Sequence, residues 1–144
     1  MKKSILSLIL VTGALLTAGT ASAERPVNLA GTTWTLQANR DTVQLVISTQ
    51  AGPGAPGAEI CRHINGTIGI ASIHGWYCQP TGRIHFLHNN LSSGVTVRTF
   101  SGHVSDEVPG QPLYMAGTMT VEAIAFGDLG EYNFSAVDNA PAQR

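Results

Sequence analysis

The chain alternates polar and apolar residues over several short stretches. In Thr32–Ala38, Trp34 and Leu36 share one face, while threonine and glutamine occupy the other. Residues 43–49 repeat the pattern with valine, leucine and isoleucine at every second position. A period of two residues is typical of a β-strand that buries one face. These two stretches therefore predict a pair of strands joined by a tight connection at residues 39–41.

A second hairpin is predicted around residues 79–82, which read Gln-Pro-Thr-Gly. Proline presets φ for a turn and glycine accepts positive φ, so these residues indicate a chain reversal. The flanking residues 73–78 and 83–89 are rich in aromatic and β-branched side chains, which favour strands.

Residues 60–71 allow two interpretations. Ile60, Ile64, Ile68 and Ile70 share one parity, and Asn65-Gly66 lies between them. Asn-Gly between apolar runs is a strong signal for a hairpin turn. A single strand with a glycine bend also fits, and the unbroken parity favours it slightly. The pattern leaves both interpretations open.

Further strands are predicted at residues 95–104, 113–126 and 131–137, separated by loops at 105–112 and 127–130. About eight short antiparallel strands are typical of a sandwich or an up-and-down barrel. Sequential hairpins favour the barrel, because closure removes exposed strand edges. We therefore expect an all-β, eight-stranded antiparallel up-and-down barrel, with room for packed side chains or one small ligand.

Residues 1–23 have the features of an export signal. Lys2 and Lys3 precede a mostly apolar run, and Ala21-Ser22-Ala23 resembles a cleavage site. The run is shorter than the roughly 20 residues that span a bilayer. We expect a bacterial periplasmic or secreted protein without a stable membrane anchor, consisting of a single domain at residues 24–144.

Charge and cysteine content narrow the function further. After the signal no lysine remains, and six arginines face nine carboxylates in the chain. This balance gives no basic surface for nucleic acid or an anionic membrane. Cys61 and Cys78 are the only cysteines. In an exported chain such a pair predicts a disulfide, and two reduced, buried thiols are the alternative.

No catalytic or metal motif stands out. There is no Gly-x-Ser-x-Gly sequence, and the adjacent acids Asp106 and Glu107 are expected to be solvated in a loop. The five histidines lack ligand-like spacing and are expected on the surface or in turns. The sequence thus predicts a non-catalytic protein without metal or cofactor.

Four short motifs occur in the order found in the avidin–streptavidin family of calycin barrels. Gly31-Thr32-Thr33-Trp34 resembles that family's first strand, and Asn65-Gly66-Thr67 its third. Thr99-Phe100-Ser101-Gly102 resembles its Thr-Trp-Ser-Gly strand, and residues 130–134 its closing strand. The resemblance implies a barrel that can bind a small molecule and can assemble into a homo-oligomer.

The ligand contacts of that family are not matched. Phe100 stands where the family has a pocket tryptophan, and Tyr132 where it has an aspartate. The first strand also lacks the asparagine–serine pair used on the ureido group. The resemblance therefore implies the barrel without implying biotin as the ligand.

The aromatic residues supply the candidate ligand site. Most must form the core, but a cavity would have Trp34 and Phe100 as its wall, with Arg98, Thr33 or Asn133 as polar contacts. The leading hypothesis is non-covalent binding of a small molecule in the barrel mouth or of a protein at the loops. The alternative is an exported inhibitor of a hydrolase that inserts residues 51–59 or 105–112 as a wedge.

Overall fold

A computed structural model describes residues 24–52, 60–90, 96–123 and 129–140. The predicted signal at 1–23, most of the glycine- and proline-rich loop at 51–58, and residues 124–128 before the last strand lie outside these ranges. Within them, no helix is long and apolar enough to cross a membrane.

The described residues form one closed antiparallel barrel in which each strand pairs with its sequence neighbours and β1 pairs with β8. The predicted fold is confirmed. The strands are β1 Thr32–Ala38, β2 Asp41–Gln50, β3 Cys61–Ile68, β4 Ala71–Cys78, β5 Arg83–Asn90, β6 Thr96–Val104, β7 Tyr114–Ala123 and β8 Gly130–Asp138. A short 3-10 turn, Gln79–Thr81, makes the predicted reversal between β4 and β5, and Gly82 follows it with a φ of +68°.

The structure decides between the two interpretations of residues 60–71. Asn65 and Gly66 lie inside the continuous strand β3, and the chain turns at residues 69–70. Gly66 lies so close to β2 that a Cβ there would collide with the carbonyl of Val46. This glycine therefore allows β3 to pack closely against β2 and does not mark a hairpin turn. Ile70 is in the turn and is 94% exposed, although its parity matches that of buried Ile64.

Three phenylalanines fill the middle of the barrel. The rings of Phe86 and Phe100 stack at a centroid distance of 4.7 Å. Phe134 meets Phe100 edge-on at 5.3 Å and Phe86 at 6.4 Å. Glycines lie beside these rings: Gly75 is paired with Phe86, and Gly117 with Phe134. Alternating large and small inward residues lets the rings pack closely against one another.

The segment before β1 closes one end of the barrel, and we call this the closed end. Leu29 is fully buried, and the Tyr77 hydroxyl donates a hydrogen bond to the Pro26 carbonyl at 2.9 Å. Gln50 donates to the Val27 carbonyl and accepts from the Leu29 N–H, both at 2.9 Å. Burial raises the pKa of Tyr77 to about 12, which keeps this hydroxyl a donor.

Cys61 and Cys78 are directly opposite each other on β3 and β4 and are joined as a disulfide. The predicted pairing is therefore borne out by their positions. We expect the intact protein purified from an oxidising compartment to be lighter by two hydrogens than its reduced form. Mass spectrometry before and after reduction checks this, and equal masses would reject the bond.

Candidate functional site

The opposite end of the barrel carries two polar side chains on its inner wall, and we call it the polar end. His88 lies on β5 with the inward parity of Ile84 and Phe86, and it is only 4% exposed. Arg98 lies directly opposite on β6, two residues before Phe100 on the same face. Directly paired residues have Cβ atoms about 4.5–5.5 Å apart. The two side chains therefore start from neighbouring positions on the inner wall, one inward pair beyond Phe86 and Phe100, which are partners in the same register.

Each of these two side chains contributes a buried nitrogen to the inner wall. Among the described residues, neither Nδ1 of His88 nor Nε of Arg98 has a hydrogen-bond partner, and both atoms are shielded from solvent. A buried polar group without a partner costs about 1–3 kcal/mol. Two such atoms on neighbouring strands form an arrangement that a ligand with hydrogen-bonding groups would satisfy.

The electrostatics of this pair favour an anion. Burial lowers the pKa of His88 below its usual 6.5, and the positive charge of Arg98 lowers it further. His88 is therefore neutral at pH 7 and can donate or accept at Nδ1, depending on its tautomer. Arg98 remains charged and can only donate. The site thus offers one permanent positive charge and one adaptable partner.

Apolar side chains border the polar end and remain partly accessible. Val43, Val121 and Tyr132 pack against the core but are only partly buried. Val121 is paired directly with Arg98, and Tyr132 lies on the adjacent strand β8. An apolar rim around a few polar groups is the usual composition of a small-molecule site.

The five predicted ligand residues do not share one surface. Phe100 and Arg98 lie together on the inner face of β6, beside the polar end. Trp34 is also inward and fully buried, but it lies toward the closed end, and its indole N–H donates to Thr32 Oγ1 at 2.7 Å. Thr33 and Asn133 are on the outer face. Of the five, only Phe100 and Arg98 are therefore neighbours on the same face of one strand.

His88 is the main residue that the sequence reasoning missed. The sequence predicts the histidines on the surface or in turns, and for His88 this prediction is wrong because its side chain is buried. The parity of β5 contains the signal, because Ile84, Phe86 and His88 follow one another at every second position.

Within the described ranges, no group of three or more histidine, cysteine or acidic residues is placed to hold a metal ion.

No protein-family model, curated protein or solved structure matches this chain.

The lowered pKa of His88 predicts a pH-dependent stability. In the unfolded chain His88 protonates near pH 6.5, whereas the folded barrel resists protonation until a lower pH. Its contribution is therefore complete above about pH 6.5 and is lost as the pH falls through the lowered folded pKa. We expect the free energy of unfolding, measured in urea, to fall between pH 7 and pH 5.

His88→Leu should flatten this pH dependence. His74→Gln is the matched control, because His74 is exposed on the outer face of β4. A wild-type slope that persists unchanged in His88→Leu would assign the effect to another group.

Proposed function

We propose that this chain is an exported, non-catalytic binding protein that holds a small anionic molecule at the polar end of its barrel. The observation that carries the proposal is a pair of buried nitrogens on paired inward positions, His88 Nδ1 and Arg98 Nε, which have no hydrogen-bond partner among the described residues. A carboxylate oxygen accepts a charge-assisted hydrogen bond from Arg98, and a second oxygen accepts from the Nδ1–H tautomer of His88.

The phenylalanine cluster limits the size of the ligand. Phe86, Phe100 and Phe134 occupy the barrel centre and are at most 3% exposed, so the ligand lies above them and does not thread the barrel. Its apolar part contacts Tyr132, Val121 and Val43 at the rim. A short aliphatic or monocyclic carboxylate has this combination of groups.

Export and kinship with avidin-like barrels belong to the same proposal. Export is supported by the composition of residues 1–23 and by the cysteine pairing. Kinship is supported by the order of the four motifs, which fall on β1, β3, β6 and β8. Phe100 and Tyr132 at the two substituted positions favour a ligand other than biotin.

A thermal-shift comparison tests the binding proposal. Octanoate and benzoate are the anionic probes, octanamide and benzamide are their neutral analogues, and biotin, lipids and sugars complete the panel. A ligand at 100 times its Kd stabilises the folded state by about 2.7 kcal/mol. We expect wild-type protein to be stabilised by an anion and not by its amide.

Arg98→Met should abolish this stabilisation. Arg62→Met is the matched control, because Arg62 lies at the closed end, where its Nη1 donates to the Val27 carbonyl at 3.4 Å. The proposal fails if no anion stabilises the protein, or if Arg98→Met responds as the wild type does.

The second candidate function is inhibition of a hydrolase by the loop between β6 and β7. This loop is tied at its base, because Arg25 Nε lies 3.5 Å from Asp106 and the Glu107 N–H donates to the Glu24 carbonyl at 2.8 Å. Val108 at its tip is 49% exposed. A panel of secreted hydrolases assayed with wild type and Val108→Asp tests it, with inhibition by the wild type alone as the expected result.

A further inference from the structure

The outer face of the barrel carries a groove across β4 to β7, far from the inward-facing polar end. It encloses about 220 Å³. This is less than a drug-sized site and suits one ring with its substituents. The side chains that line it and matter here are Trp76, Arg83, His85, Ser101, His103 and Thr118.

The aromatic part of the groove is already ordered. Trp76 is paired with His85 across β4 and β5, and their rings stack at 5.4 Å with an interplanar angle of 22°. The guanidinium of Arg83 lies 5.9 Å from the centre of the Trp76 ring. Trp76 is nevertheless only half-buried. A tryptophan that is already held by two neighbouring side chains loses little conformational entropy when a ligand packs against it.

Beside the tryptophan, hydroxyl and imidazole groups line the groove across β5, β6 and β7. The pairing order places His85 next to Ser101 and Ser101 next to Thr118. His85 Nδ1 and Ser101 Oγ lie 2.8 Å apart, which fixes the imidazole. Among the described residues, its Nε2 has no hydrogen-bond partner and can bind a ligand hydroxyl. These groups both donate and accept, so they match the hydroxyls of a saccharide better than a plain apolar ring.

The charge of the groove is positive although the chain has more acids than arginines. Arg83 and two histidines line it, and none of the described residues that line it carries a carboxylate. Within the described ranges Arg83 has no ion pair, and its contact is with the Trp76 ring. Its guanidinium can therefore bind an anionic substituent without giving up a carboxylate partner.

We propose that this groove binds a saccharide ring that carries an anionic group. The ring packs on Trp76, its hydroxyls bond to Ser101, Thr118 and Nε2 of His85, and its anionic substituent faces Arg83 and His103. This is a second site, separate from the polar end and independent of what binds there.

Titration calorimetry with glucuronate tests the proposal, with glucose as the neutral probe. We expect glucuronate to bind at least tenfold more tightly than glucose. Arg83→Gln should weaken glucuronate at least tenfold, Arg83→Lys should weaken it less, and Trp76→Leu should abolish it. Arg62→Met should leave it unchanged, because Arg62 lies at the closed end and outside the residues that line the groove.

Fluorescence locates the bound ring. Of the two tryptophans, Trp34 is fully buried and Trp76 is half-buried. Iodide therefore quenches Trp76 selectively, and glucuronate should reduce that quenching. Equal affinity for glucose and glucuronate, or unchanged binding in Arg83→Gln, would overturn the proposal. So would shielding of Trp76 that rises with protein concentration as a dimer forms, since the occupant would then be a second copy of the chain.

Discussion

Replacing Phe100 with alanine is expected to lower the free energy of unfolding by about 3–5 kcal/mol. Phe100 is 1% exposed and contacts both other rings of the central cluster. Truncation removes this buried apolar surface and leaves a cavity that a closed barrel cannot collapse to fill. Urea denaturation followed by far-UV circular dichroism measures the loss.

Two control variants isolate the cavity. Phe100→Leu keeps most of the volume and should cost less than Phe100→Ala. Tyr114→Ala removes an aromatic ring that is 48% exposed on the outer face of β7, and it should cost less than about 1 kcal/mol. A loss below about 1 kcal/mol in Phe100→Ala would contradict a filled barrel centre.

Replacing Gly75 with alanine is expected to destabilise the barrel by about 3 kcal/mol, although alanine is the smallest possible addition. A Cβ at Gly75 would collide with the His85 carbonyl oxygen, and it would lie 2.6 Å from Phe86 Cα and 2.7 Å from Phe86 Cβ. These atoms belong to the backbone of β5 and to the base of a packed ring. Relief therefore requires β4 and β5 to separate.

Gly52→Ala is the matched control for Gly75→Ala. A Cβ at Gly52 would meet nothing within 4 Å, and its φ does not lie in the left-handed range. Loss of a glycine's freedom in the unfolded chain should then leave stability unchanged or raise it by up to about 1 kcal/mol. Equal effects of the two substitutions would show that the close approach at Gly75 does not limit the packing. Urea denaturation of both variants provides the comparison.

The alternation of side chains was sufficient to predict the strands and the barrel. In β1, Trp34 and Leu36 are buried while Gln37 is exposed, as a period of two requires. In β7, Met115 and Met119 likewise share the inner face. Burial of one face dominates the energy of each strand, so the alternation of apolar and polar residues can be read directly from the sequence.

Turn positions and glycines were harder to predict, because they depend on contacts between strands. Asn65-Gly66 has the composition of a hairpin turn, but the approach of β2 at Gly66 requires a glycine in mid-strand. Ile70 has the parity of a core residue, yet it occupies the turn that β3 and β4 need. A local signal cannot reveal a neighbour that is distant in sequence.

The candidate site could be predicted only in part. Arg98 and Phe100 are two residues apart on one strand, so their shared face follows from the sequence. The pairing of Arg98 with His88 depends on the register of β5 against β6, and residues 91–95 between these strands do not reveal it. Thr33 and Asn133 face outward because Trp34 and Phe134, their neighbours, face inward.

The stability of the double variant His88→Leu/Arg98→Met tests the central claim most directly, because it requires no knowledge of the ligand. If the two nitrogens are left unsatisfied for binding, apolar replacements of similar size remove that cost. We expect the free energy of unfolding in urea at pH 7 to rise by about 1–3 kcal/mol, together with loss of anion binding. A fall of similar size would show that the pair holds the barrel together and would contradict a ligand site at the polar end.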